Sequence, residues 1–125
     1  MQRSSSGKTR PRDNLTTIGH LKEVVALFNR ERDWVQYHNP KDVSIAMSVE
    51  ASELLNLFKW EDGQESTRKL KTKMVAQRFR EELADVLIFA LTLANVTHTD
   101  LSTAVEHKLR MNERKYPAGK RKRKL

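Results

Sequence analysis

The chain has 125 residues and no cysteine, which suits one small domain and excludes disulfides and thiolate metal centres. Its net charge of +8 points to nucleic acid until the charges are placed: nine of the 24 basic residues lie in 1–12 and 117–125, two segments without an acid. Between them, residues 13–116 set 15 basic residues against all 16 acidic ones, so the basicity belongs to the ends and not to the domain.

Residues 1–14, MQRSSSGKTRPRDN, are rich in Ser, Arg, Gly and Pro and are expected to be a disordered basic tail. A first helix is predicted from Thr16 or Thr17, either of which suits an N-cap, to about Asp33. Ile18, Leu21, Val24, Val25 and Phe28 fall at helical spacing along it. Trp34–Asn39 interrupts the pattern. Asn39 suits a cap and Pro40 the first turn of a second helix, predicted over Pro40–Trp60 and stopped by Glu61-Asp62-Gly63-Gln64. A third helix is predicted from Ser66 or Thr67 to about Asn95, with a basic stretch, Arg68–Lys73, prone to bend. Asp100 suits the cap of a fourth, Leu101 to about Lys115. Pro117 and Gly119 end the order, and 118–125 reads as a second disordered basic tail. No segment alternates as a strand would, so the expected fold is an all-α four-helix bundle over residues 15–117.

The second and third helices each carry two acids three residues apart. At about 100° per residue, with Ala46 at zero, Leu57 lies near 20°, Val43 near 60° and Leu54 near 80°. Glu50 then falls at about 40°, inside the apolar stripe, and Glu53 at about −20°, on its edge. On the third helix, with Glu82 at zero, Val75, Phe79, Val86, Phe89 and Leu93 all lie within about 60° of it. Asp85 is about 60° to one side, and Glu81 points out near −100°. If the two helices pack antiparallel, Glu50, Glu53, Glu82 and Asp85 converge. Four such carboxylates repel one another unless a cation binds. An all-oxygen set without Cys or His suits Mg²⁺, with Mn²⁺ as a second choice, rather than zinc. A ferritin-like di-iron site expects Glu-x-x-His, and the sequence has none.

Other residues join this set. Trp34 and Trp60 bracket the second helix and could stack a nucleobase. His38, alone as a metal ligand, suits loop hydrogen bonding or substrate contact. Lys108, Asn112 and Tyr116 fall on one helical face, and Lys and Asn there can grip phosphate oxygens.

The stretches ERDWVQYHNPKDVSIAMSVEASELLNLFKW, EELADVLIF and KLRMNERKYP resemble the MazG-like all-α nucleoside triphosphate pyrophosphatases, in the dCTP pyrophosphatase branch. The likeness covers about residues 18–117. It implies that Glu50, Glu53, Glu82 and Asp85 are the metal-binding and catalytic acids. It also implies Mg²⁺-dependent hydrolysis of a (deoxy)nucleoside triphosphate, dCTP or a modified dCTP, to the monophosphate and pyrophosphate, in sanitation of the nucleotide pool. Trp34 and Trp60 match positions around the base, and Lys108, Asn112 and Tyr116 match positions that bind phosphates and sugar. A homo-oligomer, a dimer of dimers with sites between subunits, is implied as well. Two departures touch the base: Val25 stands where a histidine occurs, and Phe89, a further substrate-binding position, stands where a tyrosine occurs. Both remove a polar group that could read a base edge.

No apolar run approaches the roughly 20 residues of a membrane span, and no signal-peptide pattern opens the sequence. A cytoplasmic protein without a membrane partner is expected, with Lys120–Lys124 readable as a nuclear import signal in a nucleated host. The alternative function is a nucleic-acid-binding helical protein acting through its basic tails, in which case affinity would follow those tails and fall with salt.

Overall fold

The computed structural model describes residues 10–119. The two tails predicted to be disordered fall largely outside that range. Within it, residues 12–16 close a turn in which the Leu15 and Thr16 amides donate to the Arg12 carbonyl at 2.8 Å.

Five helices and no strand occur among the described residues: α1 Ile18–Glu31, α2 Pro40–Asn56, α3 Gly63–Lys69, α4 Lys73–Thr97 and α5 Leu101–Lys115. A 3₁₀ turn, Val35–Tyr37, joins α1 to α2. The caps are those the sequence selects. Thr17 accepts from the His20 amide, Asn39 from Asp42 and Asp100 from Thr103, and Pro40 occupies the first turn of α2.

Two boundaries differ from expectation. The second helix stops at Asn56 rather than Trp60, and the chain turns through Leu57–Glu61 on three-residue bonds such as Phe58 N–H to the Leu55 carbonyl. The predicted third helix is two helices. Asp62 caps α3 through the Glu65 amide, and residues 70–72, in the basic stretch expected to bend, break the ladder before α4 starts.

α4 is the hub. α2 packs along it most extensively, and α1 second. Both run antiparallel to it. Glu50 meets Glu82 and Asp85 while Phe58, further along α2, meets Phe79, earlier on α4, with ring centroids 6.2 Å apart. On α1, the Lys22 carbonyl accepts from Asn95, and Asn29 donates to Thr92 at 3.2 Å. Asn29 and Thr92 are a buried polar pair that satisfy each other, with Thr92 donating onward to the Ile88 carbonyl.

The core is small. Among the described residues the buried apolar side chains are Val43, Leu57, Leu91 and Ala94. Each contributes about 1.5–3 kcal/mol at most, less for Ala94. Ile45, Val49 and Leu55, which the helical angles turn away from the α2 stripe, are each more than half exposed. α5 makes no extensive packing contact with any other helix, and Val105 and Leu109 along it are exposed. No helix among the described residues is long and apolar enough to cross a membrane.

Candidate metal centre on the seam of α2 and α4

The seam between α2 and α4 brings three carboxylates together. Glu50 comes from the middle of α2, and Glu82 and Asp85, one turn apart, come from α4. One oxygen of each lies within 4.8 Å of the others. Both glutamates are half-buried, whereas Glu81, beside Glu82, is exposed. The angular reading therefore separates the two neighbours correctly.

Glu53, the fourth acid, stands outside this group of three. It is exposed, one turn beyond Glu50 toward the C-terminal end of α2. Its charge still reaches the cluster. Burial pushes the Glu50 carboxyl above the ordinary glutamate value of 4.5, and the negative charges of Asp85, Glu82 and Glu53 push it further. A side-chain hydrogen bond to Glu82 acts the same way, because two carboxyl groups bond side by side only if one keeps its proton.

Carboxylates crowded on an apolar seam fit a hard divalent cation. Metal–oxygen distances of about 2.0–2.1 Å place ligand oxygens about 3–4 Å apart, inside the 4.8 Å limit within which the three oxygens lie. The donor set is all oxygen, which suits Mg²⁺ or Mn²⁺ and not a soft ion.

The aromatic residues are distributed differently. Trp34 follows α1 and sets its ring edge-on to Phe28, with centroids 5.7 Å apart, while the Arg32 guanidinium lies 3.5 Å over the same Phe28 ring. Trp60 lies past the other end of α2 and is 86% exposed, with the Lys59 ammonium 5.3 Å from its ring centroid. The 17 residues of α2, about 25 Å of helix, lie between the two tryptophans in the chain. His38 leads from the 3₁₀ turn into α2. Its Nδ1 is shielded from solvent and has no hydrogen-bond partner among the described residues. Val25 on α1 and Phe89 on α4 are half-buried.

Lys108 and Asn112 lie one turn apart on α5, with Asn112 half-buried, whereas Tyr116 follows the last residue of the helix with a non-helical backbone, φ −128° and ψ 71°. Among the described residues α5 packs extensively against neither α2 nor α4. One pair escaped the sequence reading. The Lys69 ammonium donates to the Leu57 carbonyl at 2.7 Å and to Glu61 at 2.8 Å, tying α3 to the end of α2. The only signal for it was an opposite-charge pair eight residues apart across a turn, which many surfaces share.

Comparison with known proteins places this arrangement in a class. A profile of the MazG-like family matches residues 45–124, which include all four acids and α5, and the chain belongs to that family. Its relatives include dCTP pyrophosphatase 1 of Homo sapiens, 38% identical over 103 residues, and that of Bos taurus, 35% identical over 101 residues. Those matches cover 82% and 81% of this chain and 60% of each relative, so the chain spans about six-tenths of the length of these proteins. Among solved structures, a pyrophosphatase from Archaeoglobus fulgidus superposes with a TM-score of 0.76 at 33% identity, over 86% of this chain and 99% of that one.

Proposed function

We propose that this protein is a divalent-cation-dependent nucleoside triphosphate pyrophosphohydrolase, using Mg²⁺ and acting on dCTP or a base-modified dCTP. The convergence of Glu50, Glu82 and Asp85 on the α2–α4 seam carries the reading. The relatives named dCTP pyrophosphatase 1 and the archaeal pyrophosphatase supply the substrate class.

Glu50, Glu82 and Asp85 hold the cation in this reading. When bound, it neutralises triphosphate oxygens and acidifies the water that attacks phosphorus. Glu53 stays outside the group of three and exposed, so its carboxylate is free to take the proton from that water as general base. Lys108 and Asn112 donate to phosphate oxygens, and Tyr116 contacts the sugar. Trp60 offers the base a stacking surface, while Trp34, His38 and Phe89 contact it from the other side. In this reading a site using both tryptophans and α5 draws on more than one copy, and the functional unit is a dimer or a dimer of dimers. The exposed Ile45, Val49 and Leu55 of α2, with Val105 and Leu109 of α5, supply the apolar surface for such contacts. The working compartment in this reading is the cytoplasm, where nucleotide pools are maintained.

Pyrophosphate release from each canonical and 5-modified dNTP, with Mg²⁺, with Mn²⁺ and with chelator, tests the proposal. The expected result is cation-dependent release, highest for cytosine nucleotides and spread over other bases, because Val25 and Phe89 offer no hydrogen bond to a base edge. Turnover undiminished by chelator, or no release from any nucleotide, would sink it.

A further inference from the structure

The segment between α2 and α3 is held by a contact that has no role in the chemistry described so far. Residues 57–62 carry the most exposed large side chain of those described, Trp60, on a turn too short to be stiff by itself. Lys69, at the last position of α3, reaches back over it. Its ammonium bridges the Leu57 carbonyl and the Glu61 carboxylate, at 2.7 and 2.8 Å. Those two acceptors bracket Trp60 on either side. Leu57 is anchored in the core at 8% exposure, so one end of the bridge is fixed to the bundle. Phe58 is fixed as well, against Phe79. The bonded Glu61 carboxyl is held below its ordinary value, first by the Lys69 hydrogen bond and then by the Lys69 charge. The ion pair is therefore closed at neutral pH.

We propose that Lys69 is a positioning residue for the nucleobase: by clamping Leu57 and Glu61 it locks the turn so that Trp60 stands as a rigid stacking platform. This rests on the reading that Trp60 meets the base. The cation also serves the exposed carbonyls at the end of α2, where a positive charge is favourable. A mere helix cap, however, has no reason to span the residues on both sides of an exposed tryptophan. Stacking of a base on an aromatic ring is worth about 1–3 kcal/mol, and a ring that must first be ordered returns less of it.

The test uses Lys69→Met, which keeps the apolar stem and removes the ammonium, with Lys69→Arg as the conservative control. Inorganic triphosphate, which has no base, is the probe for the phosphate and cation part of the site. In Lys69→Met, KM for the preferred nucleotide rises about tenfold. Its kcat stays within about twofold, and the inhibition constant of inorganic triphosphate is unchanged. In a Trp34→Phe background, where Trp60 is the sole indole, Lys69→Met lowers the steady-state anisotropy of its emission. Lys69→Arg restores most of both effects. An equal loss toward nucleotide and inorganic triphosphate, or unaltered Trp60 anisotropy, overturns the proposal and leaves Lys69 as a helix cap. If Lys69→Met loses helical circular dichroism, Glu61→Gln, which weakens the same clamp from its other side, is read by the same two criteria. If the wild-type protein turns over no nucleotide, the reading of the previous section fails and base positioning falls with it. A wild-type enzyme whose KM ignores Lys69 overturns the positioning role alone.

Discussion

The α2–α4 seam and helix α5 carry the two halves of the proposed site, and they are held in opposite ways. The seam is packed along its length and fixes three carboxylates from two helices without help from any other copy. α5 is as well capped as any helix here, with Asp100 accepting from the Thr103 amide, yet it packs extensively against no other helix. Its root is tied down by Lys22, which donates to the Thr99 carbonyl at 2.8 Å. Beyond that, the helix presents Val105 and Leu109 to solvent, while Asn112 is half-buried. On the proposed reading, cation binding is a property of one folded chain, whereas gripping the triphosphate with α5 is a property of an assembly.

The largest expected effect tests the seam. Glu50→Gln, Glu82→Gln and Asp85→Asn each remove one charge from the cation site. Several kcal/mol of charge stabilisation corresponds to about three decades of rate. Each variant should lose about 10³-fold in pyrophosphate release and bind Mn²⁺ more weakly, as read by calorimetry, with unchanged helical circular dichroism. Glu53→Gln should separate from them. As a lost general base it should cost about 10²-fold in kcat and leave Mn²⁺ affinity intact. Weak Mn²⁺ binding by Glu53→Gln would make it a fourth ligand and redraw the site.

Stability should divide along the same line. Leu91 is 2% exposed on α4 and Leu109 is 61% exposed on α5. Leu91→Ala should lower the unfolding free energy by about 3 kcal/mol, the middle of the range for a core leucine. Leu109→Ala should change it by less than about 0.5 kcal/mol in dilute protein. If α5 is an assembly element, the second variant instead shifts the concentration at which the chain associates, which sedimentation reads directly. Equal destabilisation by the two would mean that α5 is packed within its own chain.

Next in size is the contribution of α5 to substrate. Lys108→Met should raise KM about tenfold, the scale of one hydrogen bond to a charged group, without touching Mn²⁺ affinity. A Lys108→Met/Asn112→Ala double variant and Glu50→Gln should each be poor alone. Mixed and allowed to exchange subunits, they should recover activity that neither has. No recovery on mixing would place both halves of the site in one chain and break the contrast drawn here.

Helix faces were legible because a rotation of about 100° per residue is a property of the backbone, so Glu82 could be told from Glu81 before any contact was known, whereas Glu53, on the edge of the stripe, was expected to converge with the other three and stands outside them. The caps at Thr17, Asn39 and Asp100 were legible because they depend on residues three apart. The end of α2 was not. Leu57, Phe58, Lys59 and Trp60 are acceptable helix residues, and what accompanies the stop is the Asp62 cap and a Lys69 contact twelve residues away. Nor could periodicity place α5. Its spacing puts Lys108, Asn112 and Tyr116 on one side but says nothing of what that side faces, and among the described residues α5 packs extensively against no other helix.

The smallest expected effect is the most direct physical check on the seam. In chelator-treated protein, Glu50 holds its proton more tightly folded than unfolded. Between the ordinary value of 4.5 and its raised folded value, the folded state therefore carries more protons, and stability falls as pH rises through that window. Asp100 and Glu61, whose carboxyls are held low, move the other way, but their contribution is lost only as pH falls below the ordinary carboxylate range. The difference between wild type and Glu50→Gln thus isolates the cluster from about pH 5 upward. Melting in chelator should show wild type losing ground to Glu50→Gln as pH rises. Excess Mg²⁺ should reverse the order, since an ion at 100 times its dissociation constant adds about 2.7 kcal/mol to the form that binds it. Parallel melting curves for the two proteins, with and without Mg²⁺, would mean that the three carboxylates do not share one site.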